Sequence, residues 1–160
     1  MGSIESLLTF LDASPTAWHA VSQIEQCLVQ KHFTPLEMQQ DWALKPGNRY
    51  FFSSGGALAA FITPHQKPLG ATLFASHTDS PALKIKPNPQ LVKAGALLLG
   101  VEVYGAPLLT SWLNRDLGIA GRIVGITPEG KTELHTVFFD RAPLVIPQLA
   151  IHLDREVNEK

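Results

Sequence analysis

A histidine and an aspartate stand two residues apart in the run His77-Thr-Asp-Ser-Pro81, directly after an apolar segment. Side chains two apart in an extended chain point to the same side, so His77 and Asp79 are expected to lie together. A neutral imidazole can bind zinc through one nitrogen while a nearby carboxylate accepts the other N–H and fixes the tautomer. The pattern suggests His77 as a metal ligand and Asp79 as the residue that orients it.

A second interpretation of the same pair stays open, because a lone His-x-Asp is common and can simply cap a strand end. The context favours a ligand, since the apolar run 70–76 leads directly into three polar residues. Open α/β sheets also bind their ligands at the carboxyl ends of strands. Ser80 is a poor candidate for a hydrolase nucleophile, because no Gly-x-Ser-x-Gly elbow surrounds it.

Two helices are predicted before this site. Ser3 is a candidate N-cap for a first helix that ends at Ser14-Pro15. Its apolar face is formed by side chains at three-and-four spacing: Ile4, Leu7, Leu8 and Leu11. A second helix is predicted from about Thr16 to Lys31, with a buried stripe of Val21, Ile24 and Leu28.

Strands follow the helices. Residues 49–53 and 57–63 are predicted to form an antiparallel hairpin, because Ser-Ser-Gly-Gly between them supplies the glycines of a tight turn. The segment 70–76 is apolar on both faces, which is typical of a central strand that is covered on both sides. This strand would place His77 at its carboxyl end.

The character of the sequence changes near Pro87. Further strands are predicted at residues 83–86, 97–104, 120–126 and 131–139, with a break at Pro87-Asn-Pro89 and a hairpin turn at 127–130. No long helical period occurs between Ser80 and Pro143. The fold class expected is therefore α/β in residues 1–87, followed by a β-rich unit in residues 88–160.

The composition favours a globular protein over one that binds nucleic acid or a membrane. The chain is 45% hydrophobic and 17% charged, which is typical of a globular core, and its net charge of −1 gives no electrostatic case for nucleic acid or an anionic membrane. No apolar run reaches the roughly 18 residues of a membrane span. Cys27 is the single cysteine, so we expect a cytoplasmic protein without disulfides, whose metal ligands would be His and carboxylates.

Four stretches, in this order along the chain, resemble the aspartyl aminopeptidase family of zinc-dependent exopeptidases. They are 13–16 with 18–20, 77–81 with 84–89, 100–105 with Trp112 and 114–117, and 146–153. The resemblance implies the N-terminal part of a zinc-exopeptidase-like α/β domain, followed by the start of an inserted β-rich dimerisation domain. It also implies a homo-oligomer that removes N-terminal acidic residues from peptide substrates.

The resemblance also implies roles for individual residues. At the position of His77 the family has a zinc ligand, and at the position of Asp79 an aspartate that supports it. His152 matches a second histidine associated with metal binding, although by itself it reads as a structural histidine. Two positions depart from the family pattern: Thr110, where some members have a histidine that reaches a neighbouring subunit, and Asn114, where an acidic residue is usual.

The remaining metal ligands and the general base are not recognisable in this sequence. Glu102, Asp116 and Glu133 belong to no motif and are interpreted as surface or structural charges. We therefore expect a truncated chain that binds zinc weakly and hydrolyses little by itself. The alternative is a non-catalytic module in which the β-rich part mediates self-assembly.

Overall fold

Helices occupy the start of the chain and strands most of the rest. The computed structural model describes residues 3–156, and the contacts divide them into two units: residues 3–80 with Gly121–Thr136, and Pro81–Ala120 with residues 137–156. The elements in chain order are α1 Ser3–Asp12, α2 Ala17–Gln30, β1 Thr34–Pro35, β2 Arg49–Ser54, β3 Ala57–Ile62, β4 Ala82–Lys93, β5 Ala96–Tyr104, a 3₁₀ helix Leu109–Trp112, β6 Leu117–Ile126 and β7 Thr132–Leu144.

The two helices confirm the prediction to within a few residues at each end. Thr16 is the N-cap of α2, and its hydroxyl accepts a hydrogen bond from the His19 main-chain N–H at 3.4 Å. The helix ends where Lys31 donates back to the Cys27 and Leu28 carbonyls. His32 then adopts a left-handed conformation with φ 62°, which turns the chain away from the helix axis.

The first sheet has the order β1-β2-β3 and confirms the predicted hairpin. Tyr50 lies opposite Phe61 across the antiparallel pair, and their rings are 5.8 Å apart. Side chains from α2 and β2 form the buried core of this unit: Ala20, Val21, Tyr50 and Phe51. The aromatic cross-strand pair and the helix packed on β2 thus stabilise the first sheet.

The segment 70–76 was predicted to be a central strand, and this prediction is wrong. It is not a strand in the structure, and Leu73 and Phe74 are 88% and 91% exposed. A strand requires a hydrogen-bonded neighbour, and within residues 3–156 the β1-β2-β3 sheet does not extend to this segment. The apolar pattern carries no information about whether a neighbouring strand is present, and that partner is what makes such a segment a strand.

Strands β4 and β5 form an antiparallel pair, and the predicted break at Pro87 proved to be an irregularity inside β4. The register shifts between Ile85 and Gln90, and Asn88 takes φ 53°. Proline has no N–H to donate, so it is tolerated where the ladder is interrupted. The strand therefore continues to Lys93 instead of ending before the prolines.

Strands β6 and β7 form a two-stranded sheet, and the turn predicted at 127–130 is confirmed. The Thr127 main chain bonds Lys131 at 2.8 Å and Gly130 at 2.9 Å. A hydrogen bond from the Thr127 side chain also holds the pKa of the Glu129 carboxyl below its ordinary value.

A domain boundary at residue 87 stays a prediction. In residues 3–156, no helix has the length and apolar character that crossing a membrane requires.

Candidate metal centre

The segment that carries His77 is attached to the β2–β3 hairpin by the residue between the two candidates. The Thr78 hydroxyl donates to the Gly56 carbonyl at 2.6 Å, and Gly56 lies in the turn just before β3. Thr78 is half-buried at this contact, and the residues on either side of it in the sequence are the two candidates. The side chains of His77 and Asp79 are 80% and 46% exposed.

The imidazole of His77 contacts Asp79 through a single nitrogen. Its Nδ1 lies 2.8 Å from the main-chain carbonyl oxygen of Asp79 and 3.5 Å from the carboxylate Oδ1. A carbonyl oxygen only accepts, so the hydrogen-bonded Nδ1 must carry the proton. In the neutral ring this leaves the lone pair on Nε2.

This arrangement fits the donation of one ligand to a zinc ion. Metal-binding histidines commonly donate their other ring N–H to a carbonyl or a carboxylate, which fixes the tautomer and the ring orientation. Sequence reasoning named the Asp79 carboxylate as that acceptor, whereas the nearer atom is the main-chain oxygen of the same residue.

A single histidine does not make a zinc site, which takes about four ligands. Between residues 3 and 156, the structure contains no group of three or more His, Cys, Asp and Glu side chains that could hold a metal ion. His152, the second predicted ligand, is exposed and lies in a turn of the second unit, where Leu153 donates to the Ala150 carbonyl at 2.8 Å.

Two of the three carboxylates that belong to no motif lie beside a basic or histidine side chain. Glu102 on β5 pairs in register with Lys84 on β4, so opposite charges face each other across the ladder. Glu133 on β7 lies 3.2 Å from His135, and both side chains are exposed. Sequence reasoning missed the contact of Thr78 with Gly56, and the only signal was a hydroxyl residue between the two candidates.

Comparison with known proteins gives the context for this site. Residues 10–160 match the family model described as aminopeptidase I zinc metalloprotease (M18). A probable M18 family aminopeptidase 2 from Pseudomonas savastanoi pv. phaseolicola is 42% identical over 156 residues, which cover 96% of this chain and 36% of that protein. The chain thus spans about a third of the length of the curated relatives it matches.

Solved structures show the same similarity in three dimensions. The chain superposes with a TM-score of 0.90 and 37% identity on a chain from the cryo-EM structure of the Ape4 and Nbr1 complex, covering 97% of this chain and 30% of that one. For the mApe1 dodecamer of S. cerevisiae, the TM-score is 0.73 and the identity 28%, over 92% and 36% of the two chains. The chain belongs to the M18 family of aminopeptidases, whose members are described as zinc metalloproteases.

Proposed function

We propose that the protein functions in zinc-dependent removal of N-terminal residues, acidic ones by preference, from peptides. The observation that carries this proposal is the hydrogen bond of His77 Nδ1 to the Asp79 carbonyl, because it leaves Nε2 with a lone pair on an exposed ring. Bound zinc would supply Lewis acidity toward the scissile carbonyl. His77 would bind the metal, and Asp79 would keep the proton on Nδ1.

His152 is proposed as a second metal-associated histidine. Support comes from its position in the matched family region and from its exposed side chain, which leaves the imidazole accessible. The preference for acidic residues rests on the resemblance of the sequence motifs to aspartyl aminopeptidases. It is tested by comparing the residual hydrolysis of peptides that begin with aspartate, glutamate or leucine: faster cleavage after the acidic residues supports the preference, and faster cleavage after leucine contradicts it.

The 160-residue chain is proposed to bind zinc weakly and to hydrolyse peptides poorly by itself. A dinuclear hydrolase uses roughly five protein ligands and a general base. Within residues 3–156 no three candidate ligands are grouped, so His77 would coordinate the metal together mainly with water. Zinc affinity in the micromolar range or weaker is expected.

Homo-oligomer formation through residues 88–160 is the second part of the proposal. Apolar side chains at the tip of the β4–β5 hairpin are exposed, and Val92 and Leu97 lie opposite each other there at 76% and 66% exposure. Exposed apolar surface of this kind is typical of an interface. The mApe1 relative is described as a dodecamer, which supports an assembled state for this chain as well. The cytoplasmic location stays a prediction.

Zinc titration of the wild-type chain and of His77→Ala tests the metal assignment. His135→Ala is the matched control, because His135 is also an exposed histidine that lies close to an acidic side chain. The proposal expects His77→Ala to lose at least about tenfold in zinc affinity, because loss of a residue that only orients a metal ligand already costs about 10–100-fold. The control should keep the wild-type value, and equal uptake by all three proteins would contradict the assignment.

A further inference from the structure

We propose that Thr78 is a positioning residue for the zinc ligand His77, acting through the hydrogen bond from its hydroxyl to the Gly56 carbonyl. This inference rests on the proposed function of His77. It adds a residue that does not bind the metal and acts only through His77. The bond joins the site to a different element, across 22 residues of sequence, at 2.6 Å. That distance is near the short end for O–H···O bonds.

The difference in burial between Thr78 and His77 shows which residue of this segment is held by the hairpin. Thr78 is half-buried against the hairpin, whereas the flanking imidazole is 80% exposed. The bond ties the chain at Thr78 to the hairpin, and His77 and Asp79 are each one residue from this tie, so it restricts the directions that both side chains can take. The Nδ1 to carbonyl hydrogen bond then completes the orientation of the ring.

Because the segment around Thr78 forms no strand, the hydrogen bond from Thr78 to Gly56 has a larger effect on the position of this segment. Residues 70–80 form no strand in the structure, so no ladder of main-chain hydrogen bonds holds the backbone in register there. A side-chain bond to a fixed element restricts such a backbone far more than it would inside a paired strand.

The acceptor is itself held in place. A Cβ added at Gly56 would lie 3.0 Å from the Ala17 Cβ, so the turn before β3 packs tightly against the first residue of α2. The Thr16 cap fixes the start of that helix. A connected path therefore runs from α2 through Gly56 and Thr78 to His77.

Thr78→Val tests this path, because valine keeps the shape of threonine and removes the hydroxyl. Thr78→Ser keeps the hydroxyl and serves as the rescue variant. Zinc affinity is measured by competition with a chelating dye, and the tautomer of the His77 ring by ¹⁵N NMR without metal. Thr78→Val should bind zinc about three- to tenfold more weakly, the range expected for one hydrogen bond, and should show less of the Nδ1–H tautomer. Thr78→Ser should stay within about twofold of wild type.

Gly56→Ala keeps the threonine and displaces the acceptor, so it tests the same path if Thr78→Val does not fold. It should shift the His77 ring signals in the same direction. An unchanged ring tautomer in both Thr78→Val and Gly56→Ala would overturn the inference, as would equal losses in Thr78→Val and Thr78→Ser.

The same experiment separates this inference from the proposed function. If His77→Ala takes up zinc like the wild type, the metal assignment fails. The tautomer of the metal-free ring would then still show whether Thr78 orients His77. If His77→Ala loses zinc and Thr78→Val retains full affinity and the native tautomer, the function stands and the positioning role is overturned.

Discussion

The side-chain oxygen of Asn114 accepts a hydrogen bond from the main-chain N–H of Gln148 at 3.0 Å, 34 residues further along the chain. The Asn114 main chain also donates to the Ile146 carbonyl at 2.9 Å, and its φ is 53°. Asparagine is among the residues that adopt this left-handed conformation most readily. The residue that departs from the acidic family pattern thus has a structural role in the second unit.

Asn114→Ala should destabilise the chain by about 1–3 kcal/mol, because alanine is strained at positive φ and lacks the oxygen that Gln148 needs. Asn114→Gly removes the same oxygen and tolerates the backbone. Urea unfolding should therefore rank the wild type first, glycine second and alanine last. An alanine variant as stable as the glycine variant would show that the left-handed backbone costs nothing here.

Thr16→Ala should lower the free energy of unfolding by about 1 kcal/mol, because the α2 N–H groups lose their side-chain acceptor. The same hydroxyl lies 2.8 Å from His19 Nδ1, so the change removes that contact as well. Thr16→Ser retains both interactions and is the control. Thermal unfolding followed by circular dichroism measures the difference, and matching curves for alanine and serine would refute the capping role.

Asp79→Asn should weaken zinc binding less than His77→Ala does, by about two- to fivefold, since the His77 proton is held mainly by the Asp79 main-chain oxygen and not by the carboxylate. The substitution removes the negative charge and leaves that carbonyl in place. Isothermal titration with zinc gives the comparison with His77→Ala. A loss as large as that of His77→Ala would mean that the carboxylate itself binds the metal or the ring proton.

Replacing Val92 and Leu97 together by lysine should reduce self-association, because both exposed apolar side chains lie at the tip of the β4–β5 hairpin. Ile62→Lys is the control, as an exposed apolar residue at the end of β3 in the other unit. Sedimentation velocity over a range of concentrations measures the effect. An unchanged distribution of species for the double variant would place the interface elsewhere.

Local signals predicted the elements that depend on local interactions. The Thr16 cap after a proline located α2, and the glycine turn before β3 located the first hairpin. Segment 70–76 was assigned wrongly because strand pairing is non-local, and an apolar run carries no information about whether a neighbour lies beside it. The prolines of β4 were read as an end because a bulge and a strand end have the same composition.

For the candidate site, the sequence predicts which residues meet but not which of their atoms form the hydrogen bonds. Spacing predicted that His77 and Asp79 would meet, and the structure brings Nδ1 to within 3.5 Å of the carboxylate. Spacing does not distinguish between the main-chain and side-chain oxygens of one residue, because both lie two residues from the imidazole. The Thr78 bond depends on a turn 22 residues earlier, so it could be found only from the fold.

Anomalous diffraction at the zinc edge, on crystals of the chain soaked with zinc, is the most direct measurement of the metal assignment. We expect a peak about 2.0–2.1 Å from His77 Nε2, with Nδ1 still bonded to the Asp79 carbonyl. A zinc peak on Nδ1, or bound zinc at other histidines with none at His77, would contradict the account.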